Sequence, residues 1–125
     1  MLKVLIVDDA PLLRERLRGR IAGIEGVEVV GEADTVRHAL EEFGRLLPDV
    51  ITLDIQLPDG SGIEVLEAVK KLRPETHVIM LTNYPLPQFR SRCHRSGAEY
   101  FFDKCGEFDR IPQVLRELGG LTNAV

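Results

Sequence analysis

The chain has 125 residues, 44% hydrophobic and 29% charged, with a formal net charge of −4, a length for one domain that buries its core without disulfides or metals. No apolar stretch approaches the roughly 20 residues of a membrane span, no signal cleavage site follows the N-terminus, and the negative balance argues against sequence-independent nucleic-acid binding. Cys93 and Cys105 have no CxxC partner and read as reduced thiols.

In chain order, LKVLIV (2–7) is a continuous apolar run, the pattern of a strand covered on both faces. Pro11 suits the first turn of a helix, in which Leu13, Leu17 and Ile21 recur on one face. Val27 to Gly31 reads as the second strand. Thr35 is an N-cap for a helix carrying Val36, Ala39, Leu40 and Phe43 that stops near Pro48. The third strand is Val50 to Leu53, followed by a turn-rich loop, LPDGSG (57–62). Ile63, Leu66, Val69 and Leu72 line the next helix, which ends before Pro74. Val78 to Leu81 is the fourth strand, and Pro85 and Pro87 delay a helix that Gly97 ends. Tyr100 to Phe102 is the fifth strand. Phe108, Ile111, Leu115 and Leu118 face the core from a last helix, closed by Gly119-Gly120.

This alternation is α/β, a (βα)5 chain whose strands are parallel with right-handed crossovers. A closed eight-stranded barrel needs roughly twice the length, so an open doubly wound sheet of flavodoxin-like order 2-1-3-4-5 is expected. Its site lies beyond the carboxyl ends of the strands. There the first strand runs into Asp8-Asp9, the third into Asp54, the fourth into Thr82, and the fifth is followed after Asp103 by Lys104. Taken singly, Asp8 reads as a helix cap, Thr82 as a strand residue bonded locally and Lys104 as a surface lysine. Together, three carboxylates at close range repel one another and call for a cation, and a hard ion such as Mg²⁺ prefers oxygen ligands and a phosphate partner. The chain has no GxxxxGK[ST] loop and no GxGxxG fingerprint. His38 and His94 fall on helices and His77 opens a strand, so no Ser–His pair is in prospect. The strongest nucleophile on the rim is a carboxylate, able to attack phosphorus and become an acyl phosphate.

IVDDAP (6–11), TLDIQLPDGSG (52–62), MLTN (80–83) and GAEYFFDK (97–104), in this order and spacing, resemble the response-regulator receiver domains of two-component signalling over essentially the whole chain. The resemblance implies that Asp54 is the phosphoacceptor, taking its phosphoryl group from a sensor histidine kinase or phosphotransfer protein. It implies Mg²⁺, with Mn²⁺ as a substitute, held by Asp9, Asp54 and the backbone carbonyl of Gln56, with Asp8 acting through a metal-bound water. Thr82 becomes the switching hydroxyl and Lys104 the partner of the phosphoryl group. Phe101 takes the place of the aromatic switch on the face of the fourth helix, fifth strand and last helix, a position that plain core packing explains equally well.

Three departures carry expectations. Cys105 follows Lys104 where many receivers have proline, so the loop is expected to be looser. Asn83 replaces a small residue after Thr82, and Gln56 and Tyr84 fill the positions flanking the attacking water, so the bulk of Asn83 and Tyr84 is expected to prolong the phosphoryl lifetime. Phe101 lacks the usual tyrosine hydroxyl. The fourth helix is poorly apolar, with Phe89 and Cys93 as its inward candidates, and phosphorylation or a beryllofluoride mimic is expected to perturb 82–105 most.

Receiver residues 1–119 with a short tail, 120–125, and no output domain are expected: a cytoplasmic signalling switch catalysing only its own phosphorylation and slow dephosphorylation. Its output is a protein target, with no direct nucleic-acid or membrane contact and with room for a phosphorylation-dependent dimer. The arginines Arg14, Arg16, Arg18 and Arg20, and Arg90, Arg92 and Arg95, read as solvated helix faces, or more sharply as docking surfaces for an acidic partner. Two other classes compete. A flavodoxin-like electron carrier needs a phosphate loop where DDAPLL stands, and a haloacid-dehalogenase-type phosphatase needs a second Asp where Gln56 stands.

Overall fold

The computed structural model describes residues 1–123, with side chains through residue 120. The elements are β1 (Leu2–Val7), α1 (Pro11–Ala22), β2 (Val27–Ala33), α2 (Val36–Leu46), β3 (Val50–Leu53), β4 (Gln56–Leu57), β5 (Gly60–Ser61), α3 (Gly62–Leu72), β6 (His77–Thr82), α4 (Pro87–Arg95), β7 (Tyr100–Asp103) and α5 (Arg110–Asn123). Five strands form one parallel sheet in the order β2-β1-β3-β6-β7, the expected arrangement once the short hairpin is numbered.

Alternation along β1 divides the core. Leu5 and Val7 join Ile51, Leu53, Met80 and the inner faces of α2, α3 and α4, while Val4 and Ile6 join Ile79, Leu81 and the inner faces of α1 and α5. Both sheet faces are thus covered, which is why the central strands are almost wholly apolar.

Local chemistry sets the helix starts. Pro11 occupies the first turn of α1, where its missing N–H costs nothing. Thr35 Oγ1 accepts from the His38 amide at 3.0 Å, a cap of about 1 kcal/mol. Asp59, on the turn between β4 and β5, reaches across to accept from the Val36 and Arg37 amides at 2.7 and 3.1 Å. Ser61 and Glu64 close a capping box on α3.

The structure corrects four expectations. The 57–62 segment, read as loop, contributes to the antiparallel hairpin β4–β5, with Gln56 opposite Ser61; strands of two residues leave no periodicity to detect. Leu72 is 72% exposed. At about 100° per residue, three steps of three carry it about 180° round from Ile63, and Val65 is buried in the same helix instead. Phe108 is buried but precedes α5, which begins at Arg110. Finally, α5 passes through Gly119-Gly120 to Asn123. A glycine ends a helix by turning left-handed, and neither of these has positive φ, unlike Gly97 (φ 103°) just after α4. Of the expected tail, 120–123 therefore belongs to α5, and 124–125 lie outside the described residues.

One glycine bears directly on the rim. A Cβ at Gly62 would stand 1.8 Å from the Asp54 carbonyl oxygen, and the Gly62 amide donates to Ile55 O at 2.6 Å. The start of α3 is thus packed against the backbone of Asp54, at a distance only glycine allows.

Candidate functional site

The parallel sheet brings Asp8, Asp9, Asp54, Thr82 and Lys104 to one rim. β1 pairs with β3 as far as Val7 and Leu53, and the Asp54 amide donates to Val7 O at 3.1 Å. Asp8-Asp9 and Asp54 therefore leave adjacent strands at the same level. One carboxylate oxygen from each of the three lies within 4.8 Å of the others.

Their surroundings differ. Asp8 is buried, its Oδ1 accepting from the Ala10 amide at 2.8 Å. Asp54 is buried, its Oδ1 3.4 Å from the Gln56 amide. Asp9 is exposed, and among the described residues its carboxylate takes no hydrogen bond. Lys104 Nζ lies between the buried pair, 2.7 Å from Asp8 Oδ2 and 3.0 Å from Asp54 Oδ2, with only 9% of its side chain exposed.

Burial pushes the Asp54 carboxyl above the ordinary aspartate value, aided by the Asp8 charge, and the Lys104 ammonium only partly opposes it. Burial alone would lower Lys104, but its hydrogen bond to Asp8 and the charge of Asp54 outweigh that and hold it above the ordinary lysine value. Three carboxylates against one ammonium leave the rim short of positive charge. Oxygen donors alone, one of them free and facing solvent, fit a hard divalent cation.

Thr82 is fully buried, and its Oγ1 accepts from the Tyr84 amide at 2.9 Å. Its local bond thus exists, and because a hydroxyl carries one proton to donate, that bond leaves the proton available. The Lys104 amide donates to Thr82 O at 2.9 Å, tying the two residues together through the backbone. Gln56, Asn83 and Tyr84 border the rim with exposed side chains.

The loop after Lys104 carries hydrogen bonds of its own. Asp103 Oδ1 accepts from the Cys105 amide at 2.9 Å, the Asp103 amide donates to Glu107 Oε1 at 3.1 Å, and the Glu107 amide donates to Asp103 O at 2.8 Å. Cys105 is exposed, while Cys93 is buried, with its thiol pushed up to about 11 by burial.

Phe101 is buried, with the Arg90 guanidinium 4.7 Å from its ring centroid and Arg90 Nη1 donating to Phe101 O at 3.3 Å. On α4 only Cys93 is fully buried, with Phe89 packed against the core.

The arginine rows are largely spoken for. Arg14 Nε meets Glu32 at 3.0 Å and its Nη1 donates to Asp8 O at 2.7 Å. Arg18 also pairs with Glu32, Arg20 with Asp109, and Arg92 with Glu67, while Arg16 and Arg20 lie over Phe108. Asp59 is a contributor that the sequence did not single out, and Arg14 and Arg90, read there only as members of arginine rows, take specific partners at Asp8, Glu32 and Phe101. Each acts on an element some distance along the chain, and no local pattern marks such a partner.

Known proteins resemble this chain in sequence and fold. Residues 4–116 match the family described as the response regulator receiver domain. The sensory transduction protein LytT of Bacillus cereus is 37% identical over 94% of the chain and 47% of its own length. The response regulator GacA of Pseudomonas aeruginosa is 31% identical over 94% and 55%, so the chain spans about half the length of these relatives. Chemotaxis protein CheY of Thermotoga maritima is 32% identical over 93% of the chain and 96% of its own length. Among solved structures, the response regulator domain of Thermotoga maritima CheB superposes with a TM-score of 0.84 at 31% identity, covering 100% of this chain and 98% of that one. The isolated receiver domain of RcsB from Salmonella enterica serovar Typhimurium, in the presence of phosphomimetic BeF3⁻, gives 0.86 at 28% identity, covering 94% and 87%. With the five-stranded parallel sheet and the acidic rim, this match over nearly the whole sequence makes the chain a member of the response regulator receiver domain family of two-component signalling.

Proposed function

We propose that this receiver takes a phosphoryl group onto Asp54 from the phosphohistidine of a sensor kinase or phosphotransfer protein. The observation that carries the reading is the joint placement of three carboxylates within 4.8 Å and one ammonium, with Lys104 already on the Asp54 oxygen. In the transfer, a carboxylate oxygen of Asp54 forms the new O–P bond while the donor's N–P bond breaks, and the imidazole nitrogen keeps the electron pair. Mg²⁺, held by Asp9, Asp54 and the Gln56 carbonyl with Asp8 acting through water, would when bound offset the charge of the phosphoryl oxygens. Lys104 supplies a second positive charge to those oxygens, and the Thr82 hydroxyl donates its free proton to one of them.

No helix among the described residues is long and apolar enough to cross a membrane, and a cytoplasmic relay suits the reading. The added charge of nearly two units is read on the α4–β7–α5 face, where Phe101 and Arg90 stand, and alters contact with a protein target or a second copy.

Mass spectrometry after incubation with acetyl phosphate and Mg²⁺ tests the acceptor. One added phosphoryl group is expected on the wild type and none on Asp54→Asn, and an adduct surviving that substitution overturns the assignment. The exposed side chains of Gln56, Asn83 and Tyr84 set the lifetime, with the bulk of Asn83 and Tyr84 shielding the acyl phosphate. A half-life of only seconds, followed by the decay of that mass, contradicts this.

A further inference from the structure

We propose that Arg14 is a positioning residue for the cation site. It acts by clamping the peptide between Asp8 and Asp9 and not by its charge. The inference rests on the phosphoacceptor reading and adds to it a residue outside the rim.

The clamp follows from where the bonds fall. Arg14 lies in the second half-turn of α1, its side chain 20% exposed. The guanidinium joins two elements, with Nη1 on the Asp8 carbonyl at 2.7 Å and Nε on Glu32 of β2 at 3.0 Å. Glu32 is held from its other oxygen by Arg18. Asp8 is thereby fixed at every polar atom: its amide on Ala33 O at 3.0 Å, its carbonyl by Arg14, and its carboxylate by the Ala10 amide and Lys104. Asp9 has no such ties on its carboxylate. The peptide unit is planar, so holding the Asp8 carbonyl orients the Asp9 amide and Cα as well. Arg14 therefore keeps the one solvent-facing carboxylate beside Asp8 and Asp54 without touching it.

Charge and geometry predict opposite signs. A guanidinium close to a cation site repels the cation, so if charge dominated, removing Arg14 would tighten metal binding. If the clamp dominates, removing it weakens binding, because partners that orient metal ligands are typically worth about tenfold or more in affinity.

The test titrates Mn²⁺ into the wild type, Arg14→Met, Arg14→Lys and Arg18→Ala, with free Mn²⁺ read by electron paramagnetic resonance. Methionine keeps the aliphatic stem and removes both donors and the charge, whereas lysine keeps the charge and loses the two-pronged reach. Arg14→Met is expected to bind about tenfold more weakly, with Arg14→Lys between it and the wild type. Arg18→Ala, which leaves the Asp8 carbonyl bond in place, is expected to match the wild type. Affinity in Arg14→Met equal to or tighter than wild type overturns the proposal. Thermal melts in EDTA establish folding; should Arg14→Met not fold, Arg14→Lys takes its place, and an affinity equal to wild type then overturns the clamp. A wild type without saturable Mn²⁺ binding defeats the cation site itself, an outcome distinct from failure of the clamp alone.

Discussion

Lys104→Ala removes the one cation from between two buried carboxylates, and the size of the loss can be worked out. The side chains of Asp8 and Asp54 are 3% and 7% exposed, so water cannot take the place of the ammonium. Removing one partner of a buried ion pair typically costs about 3–5 kcal/mol. Proton uptake sets a ceiling. Protonating one aspartate at pH 7 from its ordinary value costs about 4 kcal/mol, at about 1.4 kcal/mol per unit. Because Asp54 already titrates above that value, the ceiling is lower, and a loss of about 3 kcal/mol is expected. For a chain of this length, that is a fall of roughly 12 °C in melting temperature.

Calorimetry in EDTA at pH 7 reads it. The deficit should shrink as pH falls toward the carboxylate range, where the proton is taken up at little cost. Saturating Mg²⁺ should restore more stability to Lys104→Ala than to the wild type, since a ligand at a hundred times its Kd contributes about 2.7 kcal/mol and here also replaces the missing charge. A loss below about 1 kcal/mol, the range of exposed pairs, would refute the reasoning, as would a deficit independent of pH.

Two further outcomes follow from the same geometry. The folded chain holds the Asp54 proton to higher pH than the unfolded chain does, so in EDTA the stability tied to Asp54 is present in acid and is lost as pH rises through its raised value. Asp54→Asn has no such slope, and its melting temperature should exceed that of the wild type by a margin that grows from acid to neutral pH; a constant margin contradicts the burial argument. Lys104 has a dependence of the same sign in an alkaline window: its contribution is present below the ordinary lysine value and fades as pH rises through its raised one. At the other end of β7, Arg90→Ala should cost less than about 1 kcal/mol yet free the Phe101 ring, giving a second fluorine resonance from fluorophenylalanine at that position. A single unshifted resonance would show that Arg90 does not restrain the ring.

The central sheet strands were legible because helices cover both faces and leave nearly continuous apolar runs such as LKVLIV and VITL. The rim was legible for a related reason, since in a parallel sheet the residue after each strand falls on the same edge. What escaped depended on tertiary placement. Asp59 caps a helix that begins 23 residues earlier, and Arg14 completes its bonds only when α1 lies beside the end of β2. The helical run through Gly119-Gly120 was hidden because a glycine's conformation, not its identity, decides whether a helix stops. The closure of the 103–107 loop rests on Asp103 and Glu107, two acids that look like ordinary surface charge until the chain turns back on itself.

The glycine at the start of α3 gives the domain a stiff flank and a compliant one. With Gly62 packed against the Asp54 carbonyl, the Asp54 backbone has no room to move on that side. On the opposite side, residues 83–88 are exposed throughout and α4 anchors fully through Cys93 alone among its residues. Under the proposed phosphorylation, a displacement at Asp54 is therefore expected to be resisted at α3 and to pass toward Thr82, Tyr84 and α4. Substituting Gly62 would do more than crowd one turn, because moving the stiff flank would change the direction in which the molecule gives.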